Sequence, residues 1–482
     1  MQRVRGTELF EHARRLHREG NLDAAERVYH QLLNHNLNHP DFVLQLAQIH
    51  AQRGEHGLAI VLYKHILDER PELGKIWNNL GISLKLLHYN ESADFAFRQA
   101  IEREPENVDF LSNISSCFVN DGQPDKIIEW ADKAIALGPE DHAGVVQARW
   151  HKALGLLEQK LYDPGWDYAE ARLAPNSGCK IDVRNYAGEG VTPWWDGKSP
   201  GLVVIHGEQG LGDEIMFASC IPDAVKTGAE IVIECAPRLY DLFARSFPTC
   251  QVVGTHQLHG EGWLGNRQVD YKLAFGTLAK FYRRAEKDFP GAPYLIPDPR
   301  LSRHYAERLQ AMGPRPKIGI AWQGGVIKTR VELRSVSLSQ LAPILAQDAD
   351  FISLQYTAAA EKEIGEFTRE SGVMIHHWPE AAQGLDMDHQ AALISQLDLV
   401  ITVCQTAVHV AGGLGVPAIV LVPSKPSWRY GNEGGLPWYR SVELIRQVGD
   451  DWTPVIEKAQ CSLQKLIENS KKNFIGPTRV TA

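Results

Sequence analysis

Three equally spaced prolines constrain the first third of this chain more than any other feature. The prolines, each 34 residues from the next, are Pro71, Pro105 and Pro139. Small residues recur with the same period ahead of each proline, at Ala47, Gly81 and Ser115. Proline ends a helix and a small side chain lets two helices approach closely. The period therefore predicts an array of similar helix pairs, each packed against its neighbours.

The segment that leads to Pro105 resembles the tetratricopeptide repeat (TPR). The matching residues are Trp77, Leu80, Gly81, Ala93, Phe97, Ala100 and Pro105. The repeat before it has Val43, Leu46, Ala47, Ala59, Tyr63 and Pro71, and the one after it has Leu111, Ile114, Ser115, Ala131, Ala134 and Pro139. An earlier copy, with Leu9, Ala13, Gly20, Ala25 and Tyr29, is offset by a longer turn before Pro40. The resemblance implies an all-α solenoid over residues 1–172. The alternative is a set of unrelated amphipathic helices.

A TPR solenoid usually offers its concave surface to a peptide or a partner protein. Asn78, Asn79 and Asn113 fall on the predicted first helices of their repeats, with Lys85 nearby. Their amides would hold a peptide backbone, which makes the three asparagines the predicted acceptor-binding residues. The alternative is an ordinary solvated helix face.

The pattern changes after Arg172. Residues 173–200 are rich in proline and glycine and have no helical period, which predicts a linker packed on the surface. Short apolar runs then alternate with helical stretches, at 201–206, 229–236, 317–322, 351–355, 398–404 and 418–423. Runs of this kind are typical of parallel strands covered on both faces. We expect two Rossmann-like α/β domains, at 201–300 and 315–470, joined through the proline-rich stretch 286–316.

Composition excludes several classes of function. The formal net charge of −9 argues against a duplex nucleic acid partner. The seven cysteines are odd in number and none forms a CxxC pair, so a reducing compartment is expected rather than disulfides or zinc. The N-terminus has no apolar signal segment and no run is long enough to span a membrane, which predicts a cytoplasmic protein. The metal-binding pattern DxD occurs twice, at 348–350 and 386–388; we discount both, expect Asp388 to cap a helix, and predict no metal site.

Four motifs follow predicted strands, and the first, the glycine-turn motif, spans residues 206–217. Gly207, Gly210 and Gly212 permit a tight turn, and Asp213 enters the first turn of the next helix. Asp213 is the candidate general base for an acceptor hydroxyl. The alternative is an acid that merely caps the helix, whose dipole would lower its pKa and weaken it as a base.

The basic-loop motif spans residues 321–335. Gly324 and Gly325 expose backbone N–H groups, and Lys328, Arg330 and Arg334 bring cations to the turn. This combination suits a diphosphate. The alternative is a solvated basic loop.

The Thr-His motif spans residues 400–423 and is predicted to be strand, short helix and strand. Thr406 is the expected N-cap and His409 lies in the first turn. A helix N-terminus binds anions, so both side chains are predicted to meet one phosphate.

The aromatic motif spans residues 423–447. Trp428, Arg429, Trp438 and Tyr439 would close over a base or a sugar, or would only pack between domains.

Taken in order, these motifs resemble TPR-linked bacterial glycosyltransferases with a heptosyltransferase-like GT-B catalytic region. Residues 160–172 are similar to the last helix before the catalytic part of such proteins. The resemblance implies a nucleotide-sugar substrate bound mainly by the second α/β domain, no further cofactor, no catalytic metal, and Asp213 as base. The implied donor-binding residues are Gln209, Gly210, Trp322, Gln323, Gly324, Lys328, Arg334, Thr406, His409, Trp428 and Arg429.

Heptosyltransferases usually have aspartate five residues before this histidine, where the chain has Cys404, so heptose is not implied as the donor sugar. A TPR array fits a protein acceptor, as in O-GlcNAc transferases and flagellin-modifying enzymes. The chain is therefore predicted to be an inverting glycosyltransferase that acts on a protein. The alternatives are an inactive TPR adaptor and a transferase for a polysaccharide or a lipid-linked glycan.

Overall fold

A computed structural model describes residues 2–35, 39–119, 121–179, 181–187, 190–255, 262–265, 267–325, 330–383 and 386–474, without the side chains of residues 2–6, 35 and 470–474. The chain divides into two compact units. The helical unit comprises Met1–Gly155 with Ala174–Gly178, and the α/β unit comprises Leu156–Leu173 with Cys179–Ala482.

The helices of the first part of the chain follow one another as antiparallel pairs. They are α1 (Gln2–Arg18), α2 (Leu22–His35), α3 (Pro40–Gln52), α4 (His56–Glu69), α5 (Gly74–Leu86), α6 (Asn90–Arg103), α7 (Val108–Cys117), α8 (Pro124–Leu137) and α9 (Ala143–Glu158). Each of the three periodic prolines lies two residues after the end of α4, α6 or α8. The predicted helix-pair array is confirmed. Pro40, in contrast, is the first residue of α3, because proline lacks the N–H that a first helical turn leaves unused.

The turn inside each helix pair repeats with the period of the prolines. The left-handed backbone conformation occurs at Gly20, Gly54, His88 and Gly122, which are 34 residues apart, with φ between 65° and 79°. Three of the four are glycine because an L side chain is strained in this conformation. The close approach within a pair is also visible: a Cβ on Gly81 would lie 2.7 Å from the Phe97 ring.

The α/β unit contains two sheets. The strands are β1 (Leu202–His206), β2 (Glu230–Glu234), β3 (Gln251–Val253), β4 (Tyr271–Ala274), β5 (Lys317–Ala321), β6 (Asp350–Ser353), β7 (Ile375–His377), β8 (Leu399–Val403), β9 (Ala418–Val422) and β10 (Val442–Arg446). The first sheet has the order β3-β2-β1-β4 and the second β10-β9-β8-β5-β6-β7. All pairings between these described strands are parallel, as predicted.

The strands lie between helices that cover the sheets. These helices are α10 (Tyr162–Ala169), α11 (Leu211–Ala218), α12 (Ile221–Val225), α13 (Tyr240–Ser246), α14 (Leu278–Tyr282), α15 (Pro299–Gln310), α16 (Ala342–Leu345), α17 (Ala360–Ser371), α18 (Pro379–Ala382), α19 (Asp388–Ile394), α20 (Thr406–Leu414) and α21 (Thr453–Phe474). Helix α20 packs on β8, β9 and β10, and α21 packs on β9 and β10. No helix in the described residues is long and apolar enough to cross a bilayer.

Two predicted boundaries differ from the structure. Helix α10 and the 3-10 turn Glu170–Leu173 belong to the α/β unit, whereas residues 1–172 were predicted to form one solenoid. The later part of the predicted linker joins the first sheet, where Trp195 N–H donates to the carbonyl of Lys272 at 3.0 Å. Trp195 is buried, and this burial holds the segment on the sheet edge.

Candidate functional site

The glycine-turn and Thr-His motifs meet in the α/β unit. Helix α11 follows β1 of the first sheet, and α20 follows β8 of the second. A Cβ on Gly212 would lie 3.0 Å from Cδ2 of His409 and 3.7 Å from Oγ1 of Thr406. A side chain at position 212 would therefore crowd the His409 ring. The carboxyl ends of parallel strands are where α/β proteins bind ligands, so the two motifs together mark a candidate site.

A cavity of about 210 Å³ opens beside this contact. Its lining comes from helices and loops that connect the strands of both sheets, and comprises Leu211, Arg238, Tyr356, Ala381, Ala382, Asp386, Met387, Gln390, Gln405 and Thr406. It is smaller than the roughly 300–1,000 Å³ of a typical small-molecule site, so it would enclose only part of a nucleotide sugar. Most of these residues were not predicted, because nothing in the local sequence around Arg238 or Gln390 indicates a site.

Arg429 connects the aromatic motif to the glycine-turn motif. Its Nε donates to Oδ1 of Asp213 at 2.6 Å, and its terminal nitrogens reach Asp213 and the Gln209 side chain, the latter at 2.9 Å. Its guanidinium carbon lies 4.8 Å from the centre of the Trp428 ring. Gln209 itself adopts a left-handed backbone, with φ of 62°. The predicted donor-binding Arg429 and the predicted base are thus paired with each other.

This pairing limits what Asp213 can do. Its carboxylate also accepts a long hydrogen bond, 3.4 Å, from the N–H of Gly210, the residue that caps α11. Both members of the Asp213–Arg429 pair are 17% exposed, so neither is sealed from the cleft. Two nitrogens of Arg429 occupy Oδ1 of this carboxylate, so that oxygen is not open to a substrate hydroxyl. Asp213 would act as a base only after Arg429 moves to another anion.

His409 is buried and neutral. Burial, with the nearby charge of Arg429, lowers the pKa of its imidazole to about 3. Nδ1 lies 3.1 Å from the hydroxyl of Tyr439. At neutral pH the ring therefore brings no positive charge to a phosphate and serves as a neutral hydrogen-bonding group.

Thr406 is the first residue of α20 rather than its N-cap, which is Gln405. The Gln405 amide donates to Oγ1 of Thr402 at 3.2 Å. The helix start is thus one residue earlier than predicted. Thr406 still lines the cavity at the N-terminus of α20, and a helix N-terminus is a position where anions bind.

The basic-loop motif is held rigidly where it leaves β5. Oε1 of Gln355 accepts from the backbone N–H groups of Trp322 and Gln323, both at 3.0 Å. Indole Nε1 of Trp322 donates to the carboxylate of Glu363 at 2.6 Å, and Trp322 is only 1% exposed. The Trp322 indole is therefore a core group, and donor binding by Trp322 stays a prediction.

Gly324 approaches the end of β8 closely. A Cβ there would lie 2.6 Å from the carbonyl oxygen of Cys404, and Arg334 donates to the same oxygen at 2.6 Å. Burial raises the pKa of the Cys404 thiol to about 12, so it stays protonated. Arg334 thus stabilises the backbone at the end of β8. Lys328 lies outside the described residues.

The two tryptophans of the aromatic motif pack rather than line the cavity. Trp428 and Trp438 are 8% and 3% exposed, and both meet the ring of Trp166 on α10 edge-to-face. The packing interpretation holds for these side chains, including the predicted donor-binding Trp428. Arg429 is the member of the motif that reaches the cleft.

A buried ion pair that the sequence did not indicate holds the glycine turn. Arg172 donates to both carboxylate oxygens of Glu208, at 2.8 and 2.7 Å, and the N–H of Gly276 donates to Oε1 at 2.5 Å. Arg172 is 3% exposed and Glu208 2%. Glu208 immediately precedes Gln209, so this pair fixes the loop that presents Asp213.

The discounted DxD aspartates have structural partners. Asp388 pairs with Arg245. Asp388 is the first residue of α19 rather than its cap: the N-cap position is Met387, and Oδ1 of Asp386 accepts from the N–H of Asp388 at 3.0 Å. Within the described residues, no group of three or more histidine, cysteine, aspartate or glutamate side chains is arranged to hold a metal ion.

In the helical unit, two of the three predicted asparagines bind each other. Nδ2 of Asn113 donates to Oδ1 of Asn78 at 2.9 Å, which joins α7 to α5. Asn78 is buried and Asn79 half-buried. This bond uses the oxygen of Asn78 and one N–H of Asn113, so it leaves both N–H groups of Asn78 and the second N–H of Asn113 unused.

Comparisons with known proteins cover different parts of the chain. A family model described as tetratricopeptide repeat matches residues 10–73. Protein FlbA of Caulobacter vibrioides is 28% identical over 424 residues, which span 84% of this chain and 70% of FlbA.

Solved structures of TPR proteins are similar to the chain at low overall scores. MamA of Desulfovibrio magneticus RS-1 is 19% identical, covers 35% of this chain and 91% of its own, and has a TM-score of 0.31. A thermophilic TPR protein of Thermus thermophilus has the same identity and coverages, with a TM-score of 0.30. The family match and the periodic helix pairs agree: the chain carries tetratricopeptide repeats, followed by a region of parallel sheets and helices.

Proposed function

We propose that this chain is an inverting glycosyltransferase with a GT-B arrangement. It moves a sugar from a nucleotide-sugar donor to a protein recruited by the TPR repeats. The observation that carries the proposal is the cavity lined by helices and loops that connect the strands of both sheets, where the glycine-turn and Thr-His motifs meet. Such a cleft offers a helix N-terminus to a phosphate on one side and a carboxylate to an acceptor hydroxyl on the other.

Each group then has a defined part. The first N–H groups of α20 and the Thr406 hydroxyl hold the donor phosphate, and Arg238 adds positive charge from the cavity wall. Arg429 turns from Asp213 to the diphosphate. The released carboxylate takes the proton of the acceptor hydroxyl, whose oxygen attacks the anomeric carbon with inversion. The nucleoside diphosphate leaves with the bonding electron pair.

The test is a thermal-shift screen of the full chain with nucleoside mono- and diphosphates and their sugar conjugates. A ligand at 100 times its Kd stabilises the native state by about 2.7 kcal/mol, so one nucleotide class should raise Tm. Thr406→Val should weaken that shift, since the variant loses the hydroxyl but keeps the volume. The matched control is Arg300→Gln, which alters an exposed arginine away from the cavity. No shift with any nucleotide sugar, at millimolar concentration, would contradict the proposal.

One observation favours a second candidate, a TPR adaptor without transferase activity. The only described cleft carboxylate with a proposed catalytic role is ion-paired with Arg429. In an adaptor this pair is permanent, and a bound nucleotide would not release Asp213. Donor turnover separates the two functions: the enzyme hydrolyses or transfers the sugar of its nucleotide sugar, and the adaptor does not.

A further inference from the structure

The hydroxyl of Tyr439 is buried beside the ring of His409. Tyr439 is 1% exposed, and its hydroxyl oxygen lies 3.1 Å from Nδ1 of His409 and 3.5 Å from the hydroxyl oxygen of Tyr294. Among the described residues, the Tyr439 hydroxyl has no third hydrogen-bond partner. Burial raises the pKa of Tyr439, so the hydroxyl keeps its proton at neutral pH and must donate it to one of these two neighbours.

The contacts of Tyr294 decide where that proton goes. The Tyr294 hydroxyl donates to the backbone carbonyl of Ile215, on α11, at 2.5 Å, so its oxygen can only accept from Tyr439. The separation of 3.5 Å is too long for a good O–H···O hydrogen bond, whereas 3.1 Å to a ring nitrogen is an ordinary distance. A buried hydroxyl without an acceptor is costly. Tyr439 therefore donates to Nδ1 of His409.

Acceptance at Nδ1 fixes the tautomer of His409. A neutral imidazole has one N–H and one acceptor nitrogen, so the ring proton is on Nε2. Among the described residues, Nε2 has no hydrogen-bond partner. Nε2 lies 3.6 Å, and Oγ1 of Thr406 lies 3.7 Å, from the position that a Cβ on Gly212 would take. The unused N–H and the Thr406 hydroxyl are thus close together at the first turn of α20.

Two adjacent glycines of α20 accommodate the two tyrosines. A Cβ on Gly412 would overlap the Tyr439 ring, and a Cβ on Gly413 would lie 3.3 Å from Cζ of Tyr294. The carbonyl of Gly413 also accepts from the N–H of Tyr294 at 2.8 Å. Gly412 follows His409 by three residues, so both lie on one face of the helix. The Tyr439 ring is therefore held in a fixed position relative to the imidazole.

We propose that Tyr439 is a positioning residue for His409: its hydroxyl donates to Nδ1 and holds the ring proton on Nε2, which donates a hydrogen bond to a phosphate oxygen of the donor. Tyr439 itself touches no substrate. In the other tautomer, Nε2 would direct a lone pair at the phosphate and repel it. The proposal rests on the donor site of the proposed function, in which the first turn of α20 holds a phosphate.

The first test determines the tautomer in the full chain without a ligand. Nitrogen NMR of the chain with isotope-labelled histidine separates protonated from unprotonated ring nitrogens, and His409→Gln identifies the signals of His409. At neutral pH we expect a protonated Nε2 and an unprotonated Nδ1. Tyr439→Phe, which keeps the ring on Gly412, should move a measurable share of the proton to Nδ1. The matched control is Tyr294→Phe, which should keep the wild-type tautomer because the lost hydroxyl donates to a carbonyl.

The second test uses inorganic pyrophosphate as the probe for the phosphate. Pyrophosphate should shift the Nε2 proton signal of His409 in the wild type. Tyr439→Phe should bind pyrophosphate roughly two- to tenfold more weakly, which is the effect of one lost hydrogen bond, and Tyr294→Phe should bind it as the wild type does.

Three results would overturn the proposal: a proton on Nδ1 in the wild type, an unchanged tautomer in Tyr439→Phe, or pyrophosphate that leaves the Nε2 signal of His409 unmoved. A thermal-shift screen in which no nucleotide sugar binds counts against the proposed function instead. The two failures are distinct because the tautomer is measured without a nucleotide.

Discussion

At the scale of residues, the guanidinium of Arg429 has two alternative anionic partners in the proposed function: the carboxylate of Asp213 and a donor phosphate. Arg429 binds Asp213 and Gln209, which lie on either side of the cavity-lining Leu211, and its proposed second partner is a diphosphate. A donor phosphate would compete with Asp213 for the same guanidinium. Under the proposed function, the donor would bind first and Asp213 would become free second.

This arrangement gives a prediction for Asp213→Asn. The variant should lower turnover by about 10²–10⁴-fold, the usual contribution of a general base. Donor affinity should stay equal or increase, because Arg429 is no longer held by a carboxylate. Calorimetry measures the donor affinity, and mass spectrometry of the glycan mass added to an acceptor measures the turnover.

Asp241→Asn, at an exposed position of α13, is the matched control and should match the wild type in both measurements. Loss of one partly exposed ion pair should change stability by at most about 1 kcal/mol, so the fold is retained. If Asp213→Asn turned over at the wild-type rate, Asp213 would serve only to cap the helix and not as a base.

At the scale of elements, the helix-pair turns show how backbone conformation selects residues. The four left-handed turn positions follow the repeat period, and His88 is the exception among three glycines. The strain of that conformation, about 1–2 kcal/mol for an L residue, is tolerated because the packed helices on both sides fix the turn.

Two glycine-to-alanine substitutions should therefore have opposite effects. Gly54→Ala should lower the free energy of unfolding by about 1 kcal/mol, because alanine is strained at φ of 79°. Gly365 is an exposed residue in the middle of α17, and nothing lies within 4 Å of a Cβ added there by Gly365→Ala. It should raise the free energy of unfolding by about 0.5–1 kcal/mol. Urea denaturation of both variants checks the signs, and equal signs would refute the conformational explanation.

At the scale of the whole molecule, buried neutral histidines make stability depend on pH. His409 and His151 both have a pKa lowered from 6.5 to about 3 by burial. The unfolded chain takes up protons on these rings below about pH 6.5, whereas the folded chain does not. Stability is therefore fully present above pH 6.5 and falls as the pH decreases toward 3.

Lowering the pH from 7 to 5 should cost roughly 1–2 kcal/mol for His409. Carboxylates with lowered pKa values, such as Glu208, act in the same direction but at lower pH, so this interval isolates the histidines. His409→Gln should flatten the dependence, measured by urea denaturation with tryptophan fluorescence. His65→Gln, at an exposed position, should not. An identical slope in wild type and His409→Gln would contradict the role of the buried ring.

The sequence by itself determined those parts of the fold that depend on local patterns. A repeat contacts only its neighbours, so the spacing of Pro71, Pro105 and Pro139 was enough to predict the helix pairs. The six predicted strands were also found, because parallel strands buried on both faces must be continuously apolar. The sequence also predicted three site residues, because they closely follow such strands: Asp213, Thr406 and His409.

Tertiary structure decided what depends on distant partners. The four strands not predicted, β3, β4, β7 and β10, are the edges of the two sheets. An edge strand is partly exposed and short, so its sequence lacks a continuous apolar run. The pairing of Asp213 with Arg429 joins residues 216 positions apart. The pair of Arg172 with Glu208 fixes the glycine turn, although Arg172 was expected to belong to the helical domain. No local pattern encodes which charged side chains meet, because that choice is made when the two sheets and α10 pack together.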